Sequence, residues 1–230
     1  MPLDLDLQMA QLEVKLLRAQ FSSHFLFNHL NAINNCIVQG DPDAASSYLT
    51  LFARLLRRLT ADSQREFVRL SDEIETIRLY IKMESMRFNH PIHFVSCIEA
   101  DIDPAYVWVP SLILHTYVEN AIWQVVQTCQ DEGIIRLELL KKRAKYHLLL
   151  KDNGRGQAKR LSDRLIPQEQ AGVDLTGQRL RLLNRQFGTD LKVTLHDSGM
   201  PDEPFAQESA KQSTSAGGRT VDLSFHPFVM

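Results

Sequence analysis

The chain has 230 residues, 44% of them hydrophobic, with a formal charge of -2 and a pI near 6.4. That length holds one large domain or two small ones, each with its own core, and the apolar content excludes a disordered chain. The near-neutral charge gives no reason to expect nucleic acid or an anionic membrane as a partner, although a phosphate ligand needs only local backbone donors.

Cys36, Cys97 and Cys129 form no CxxC pair, which fits a reducing cytosol rather than a disulfide framework or a zinc site. No apolar run reaches the roughly 20 residues of a membrane span. The start MPLDLDLQMAQLEVK lacks the basic and apolar regions of a signal peptide. These features predict a soluble, cytoplasmic chain and leave an attached membrane-bound sensor open.

In chain order, residues 1–88 read as two long helices. Leu12, Leu16, Ala19, Ser23, Leu26 and Leu30 recur every three or four residues on one helix face. Gly40-Asp41-Pro42-Asp43 stops that helix and starts the next, with Gly at the C-terminal end, Asp41 as cap and Pro42 in the first turn. The second helix is predicted to run to Phe88, with a bend near Ser71-Asp72-Glu73-Ile74. A lone hairpin cannot cover both apolar faces, so pairing of two copies into a four-helix bundle is expected. Residues 89–230 read as mixed α/β. Strands are predicted over 91–98, 134–140, 146–151, 191–195 and 220–225, and helices over 110–128 and 173–187. The polar stretch 199–218 reads as a loop joining the last two strands. The helices are expected on one face of the sheet.

Three segments of the second half carry candidate chemistry. Glu119-Asn120 is a polar pair in an otherwise apolar helix, costly to bury unless bound by a ligand or satisfied by nearby backbone. Lys151-Asp152-Asn153-Gly154-Arg155-Gly156 follows a strand. Asp152 could accept from an exocyclic amine while the glycines admit close backbone approach; the same string is also a common turn. Ala171-Gly172-Val173 opens a helix whose free N–H groups could face an anion, or it is an ordinary helix start. Their order is a nucleotide-site layout, with Asn120 as an oxygen ligand for the divalent ion of Mg-ATP. In the first half, His24 and Asn28 stand one helical turn apart on one face, flanked by Phe25, Leu26 and Phe27. An unprotonated imidazole can be a nucleophile near neutral pH; a lone histidine can equally be a packed one. The remaining histidines receive no role.

LLRAQFSSHFLFNHLNAI, LFARLLRRL, SDEIETIRLYIKMESMRF, VPSLILHTYVENAIW, LKDNGRGQAKR, AGVDLTGQRLRLLN and GGRTVDLSFHPF, in this order, resemble the LytS/YehU-type sensor histidine kinases, from about Leu16 to Phe225. The resemblance implies an α+β chain in two parts. Residues 1–88 would be a long helical hairpin for dimerisation, a dimeric four-helix bundle that carries the phosphoacceptor. Residues 89–230 would be a GHKL (Bergerat) α/β sandwich that binds ATP. It further implies His24 as the phosphorylated residue, whose orientation Asn28 could hold by its helical spacing, and Glu119 as the acid before the Mg2+-binding Asn120. Asp152 would contact adenine, Gly154, Gly156 and Gly172 would be phosphate and lid glycines, and a response-regulator aspartate would receive the phosphoryl group. This sequence departs from the family pattern at Ser22-Ser23 before the histidine, at His115-Thr116, at Gln124-Val125 after Trp123, at Gln157, and in the acidic Gln168-Glu169-Gln170. An active autokinase is therefore weighed against a degenerate kinase that acts as a dimeric nucleotide-binding scaffold. A GHKL ATPase without a histidine substrate would leave the helical hairpin unexplained.

Overall fold

A computed structural model of the chain describes residues 23–88, 90–129, 132–154, 167–197 and 219–228. In chain order its elements are α1 (Ser23–Val38), α2 (Pro42–Asp62), β1 (Phe67–Arg69), α3 (Leu70–Phe88), β2 (Ile92–Ile98), β3 (Trp108–Pro110), α4 (His115–Thr128), β4 (Gly133–Lys142), β5 (Lys145–Asp152), α5 (Pro167–Phe187), β6 (Lys192–Asp197) and β7 (Arg219–Phe225). Among the described residues no helix is long and apolar enough to cross a membrane. The N-terminal apolar pattern up to Ala19 and the stretch 199–218 lie outside the described residues.

The turn between the first two helices follows the sequence chemistry. Gly40 sits at φ +77°, the left-handed position that ends many helices. Asp41 caps α2 by accepting from the Ala44 N–H at 2.9 Å, and Pro42 takes the first helical position. Folded back on α1, α2 buries Tyr48, Phe52, Leu55 and Leu59.

The expected single helix from residue 42 to Phe88 is corrected. α2 ends at Asp62, and Phe67–Arg69 pairs antiparallel with Trp108–Pro110 before α3 begins. Phe67 and Val68 are 4% and 1% exposed, and the Phe67 ring meets Phe187 and Phe228 at 5.2 and 5.0 Å. Non-local pairing and burial thus override local helical continuity. The cap-like Ser71-Asp72-Glu73 marks the first turn of a new helix rather than a bend. α3 then packs against α2, α4 and β2, so it joins the helical half to the sheet.

The five-stranded sheet has the order β2-β4-β5-β7-β6, parallel between β2 and β4 and antiparallel elsewhere. Cross-strand rows Leu137–Leu150–Val221–Leu195 and Leu139–Leu148–Leu223–Val193 form one apolar face, against which α4 and α5 pack. The opposite face is polar, with Lys151 Nζ on Glu138 at 2.7 Å and His147 on Asp222 at 3.1 Å. The fold is a mixed helix-and-sheet structure with a helical layer on one sheet face. The two-residue period that buries Leu148 and Leu150 puts Asp152, the last residue of β5, on the same buried face. α5 starts at Pro167, earlier than the predicted 173, with proline at its first position.

Candidate functional site

Helix α4 organises the site, and its start is fixed from two sides. Leu112 holds φ +56°, an unusual conformation for a non-glycine residue. The Glu73 carboxylate of α3 secures it by accepting from the Leu112 and Leu114 N–H groups at 3.0 and 3.2 Å. Glu73 is 1% exposed, and burial pushes its carboxyl up to about 7 despite these two donors. From α5, the Arg179 guanidinium donates to the Ser111 carbonyl and, at 3.0 Å, to Ser111 Oγ. Both ties hold α4 over the sheet with its polar pair pointing out of the core.

Asn120 and Asp152 meet at one cleft. This open cleft of about 460 Å3 lies between α4, β5, β7 and α5, with Tyr117, Leu150, Val173 and Val221 as apolar wall and Arg219 at its rim. Asp152 Oδ1 accepts from the Gly154 N–H at 2.9 Å. Burial pushes the Asp152 carboxyl up to about 6; the Gly154 and Arg219 N–H groups and the Arg219 charge pull the other way. Gly154 is required sterically. A Cβ there would lie 2.8 Å from Asp152 Oδ1 and 3.0 and 3.1 Å from Gln124 Cβ and C of α4. An apolar slot with one carboxylate acceptor suits a flat ring bearing an amine. Among the described residues no group of three or more His, Cys, Asp or Glu side chains gathers for a metal. A magnesium ion fits here only as one carried on a ligand's own oxygens, with the Asn120 amide oxygen as a protein donor. Gly156 lies outside the described residues. Because α5 begins at Pro167, Gly172 falls beyond the first four N–H groups of the helix, which corrects its reading as a helix start.

A second cleft of about 350 Å3 lies on the other side of α4. Asn28 and His29 of α1, Glu84 and Arg87 of α3, and Glu119 and Trp123 of α4 line it. The structure therefore brings Asn28 and Glu119 to one cleft and sends the neighbouring Asn120 to the other. His24 belongs to α1, one turn before Asn28; its side chain lies outside the described residues.

Sequence reading missed the group beneath this second cleft. His29 is 0% exposed, with Nδ1 2.8 Å from the Tyr48 hydroxyl. Its Nε2 lies 3.0 Å from Glu84 Oε1, at an angle too bent for a straight hydrogen bond. Glu84 Oε2 accepts from Arg87 Nε at 2.8 Å and Nη2 at 2.5 Å. The Tyr80 ring stacks on Phe25 and lies tilted against His115, with centroids at 6.2 and 4.5 Å. Burial raises the Tyr80 hydroxyl well above its ordinary value and lowers His115 to about 4, which keeps both neutral. The available signal was the polar set Tyr80, Glu84 and Arg87 at helical spacing on an otherwise apolar stretch.

With this geometry in place, a family model described as histidine kinase matches residues 12–92. The sensor histidine kinase BtsS of Escherichia coli strain K12 is 30% identical over 188 residues, covering 81% of this chain and 31% of the relative. The sensor histidine kinase YpdA of the same strain is 27% identical over 172 residues, covering 75% and 29%. The sensor protein LytS of Staphylococcus haemolyticus is 29% identical over 192 residues, covering 80% and 31%. The chain thus spans less than a third of the length of these relatives. Motifs, model and relatives agree, and the chain belongs to the LytS/YehU-type sensor histidine kinases.

Proposed function

We propose that this chain is the kinase core of a two-component sensor, transferring the γ-phosphoryl group of ATP to His24 and from there to an aspartate of a response regulator. The observation that carries this reading is that α4 stands between two clefts. Asn120 and Asp152 share one, and Asn28, one turn from His24, shares the other with Glu119.

In this reading Asp152 accepts from the adenine amine and the apolar wall takes the ring. Asn120 supplies one oxygen to the magnesium ion, whose charge would offset that of the triphosphate. Gly154 keeps the loop close to α4, and Gly156 serves the phosphates. Glu119 takes the imidazole proton, while Asn28 orients the ring. Positioning and charge stabilisation supply most of such catalysis. The functional division is a helical phosphoacceptor part and a GHKL-type ATP-binding part, expected as 1–88 and 89–230, with α3 packed against both. Two copies would pair through the apolar residues that α1 and α2 leave exposed, Phe27 (64%), Ile37 (60%), Val38 (76%) and Leu49 (52%). The kinase would work in the cytoplasm, joined to or partnered with a membrane sensor.

The test is incubation of the chain with γ-labelled ATP and Mg2+. Acid-labile, base-stable label that disappears in His24→Gln is the expected result. Nucleotide binding without label would favour the second reading, a degenerate scaffold, to which the departures at Ser22-Ser23 and Gln124-Val125 point.

A further inference from the structure

The second cleft holds a cation to which the sequence reading gave no role. Arg87 is the one Arg or Lys among the described residues that line it, and its side chain is 18% exposed. Its guanidinium is held rigidly. Two donors go to Glu84 Oε2, and the guanidinium carbon lies 3.8 Å over the Phe88 ring and 5.9 Å from the Trp123 centroid. A guanidinium carries five N–H donors, so more than half remain for another acceptor. Glu84 Oε1 in turn lies 3.0 Å from His29 Nε2, and His29 Nδ1 lies 2.8 Å from the Tyr48 hydroxyl, which donates to the Met83 carbonyl at 3.4 Å. Burying a carboxylate and an imidazole in this way adds little stability compared with an apolar core, so a chain of buried partners ending in one arginine at a cleft calls for a use at that cleft.

We propose that Arg87 binds the phosphoryl group in transit to His24, with Glu84 and His29 as its positioning residues. The inference rests on the kinase reading above. His24 precedes Asn28 by one helical turn on the same face of α1, and Asn28 lines this cleft. In the transfer, an imidazole nitrogen lone pair forms the N–P bond. The bond from the γ-phosphorus to the bridging oxygen breaks, and its electron pair leaves on ADP. The imidazole proton passes to Glu119. Negative charge spreads over the equatorial oxygens, and a fixed guanidinium at the cleft stabilises it.

The experiment compares the chain with Arg87→Gln and Arg87→Lys, reading labelling rate against ATP concentration, Kd for a fluorescent ATP analogue, and melting temperature. Loss of one preorganised donor to a transition-state charge typically lowers kcat by roughly a hundredfold or more. Arg87→Gln should show that loss in kcat, with KM and nucleotide Kd within about twofold, and Arg87→Lys should recover a substantial part of the rate. A labelling rate for Arg87→Gln equal to that of the unaltered chain would overturn the proposal. So would equal impairment of both variants in step with a lowered melting temperature, since that is the signature of a structural ion pair. An unaltered chain that takes up no label would instead remove the kinase reading itself, and Arg87's role with it.

Discussion

Replacing Asp152 by Asn should stabilise the fold while weakening nucleotide binding. The side chain ends a strand on the face that also buries Leu148 and Leu150, and burial raises its carboxyl from 3.8 to about 6. The folded chain therefore holds this proton more tightly than the unfolded chain. At acid pH both states are protonated and the carboxyl costs nothing. As pH rises through about 4 to 6 the folded state must bear a buried charge, and stability falls. A tenfold change in proton affinity is worth about 1.4 kcal/mol, so the buried charge costs roughly 3 kcal/mol above that window. Asn keeps the shape and an oxygen for the Gly154 N–H but carries no charge. At pH 8 it should recover about 1–3 kcal/mol, or about 2–6 °C in Tm at this chain length. Near pH 4 the gain should vanish. A charge-assisted hydrogen bond to the adenine amine is worth about 1.5–3 kcal/mol, so ATP affinity should fall about ten- to a hundredfold. Thermal melts at the two pH values, with a nucleotide titration at pH 8, check both halves. A variant that melts lower at pH 8, or that binds ATP as tightly as the unaltered chain, would refute the reasoning.

Gly154→Ala should lower ATP affinity and cost about 1–3 kcal/mol, because the added Cβ displaces the Asp152 carboxylate and crowds Gln124 of α4; chemical denaturation and nucleotide titration read the two effects. Glu73→Ala leaves the buried N–H groups of Leu112 and Leu114 without their acceptor and should destabilise by about 2–4 kcal/mol, seen as a lower denaturation midpoint. Glu73→Gln should instead narrow the fall in stability that the unaltered carboxyl, raised to about 7, produces as pH climbs from about 4.5 to 7. Phe27→Glu with Leu49→Glu should convert a dimer to a monomer in light scattering, with ATP affinity unchanged; a persistent dimer would place the contact elsewhere.

Much of this architecture is written in local pattern. The Gly40-Asp41-Pro42 turn, the alternating strands and the α4 helix obey short-range rules, and the structure reproduces them within a few residues. Asn120 and Asp152 could be paired from motif order, and they do share a cleft. Two things were not legible. Phe67–Arg69 is a strand because of a partner some forty residues away and of rings from the chain's C-terminal end, and no window around residue 67 contains that information. The His29–Glu84–Arg87 group joins α1 to α3, so its members look like unrelated polar residues until the helices pack. Glu119 and Asn120 are adjacent in sequence yet face different clefts, a consequence of the roughly 100° turn per residue of the helix.

The central claim is that nucleotide bound on one side of α4 phosphorylates the helix on the other side. Mapping the phosphorylated residue after a brief incubation with Mg-ATP at neutral pH, by mass spectrometry under conditions that preserve phosphoramidates, tests it most directly. The account predicts phosphate on His24, with the buried His29 unmodified. Phosphate on another residue, or an unmodified chain that nevertheless binds ATP, would contradict it.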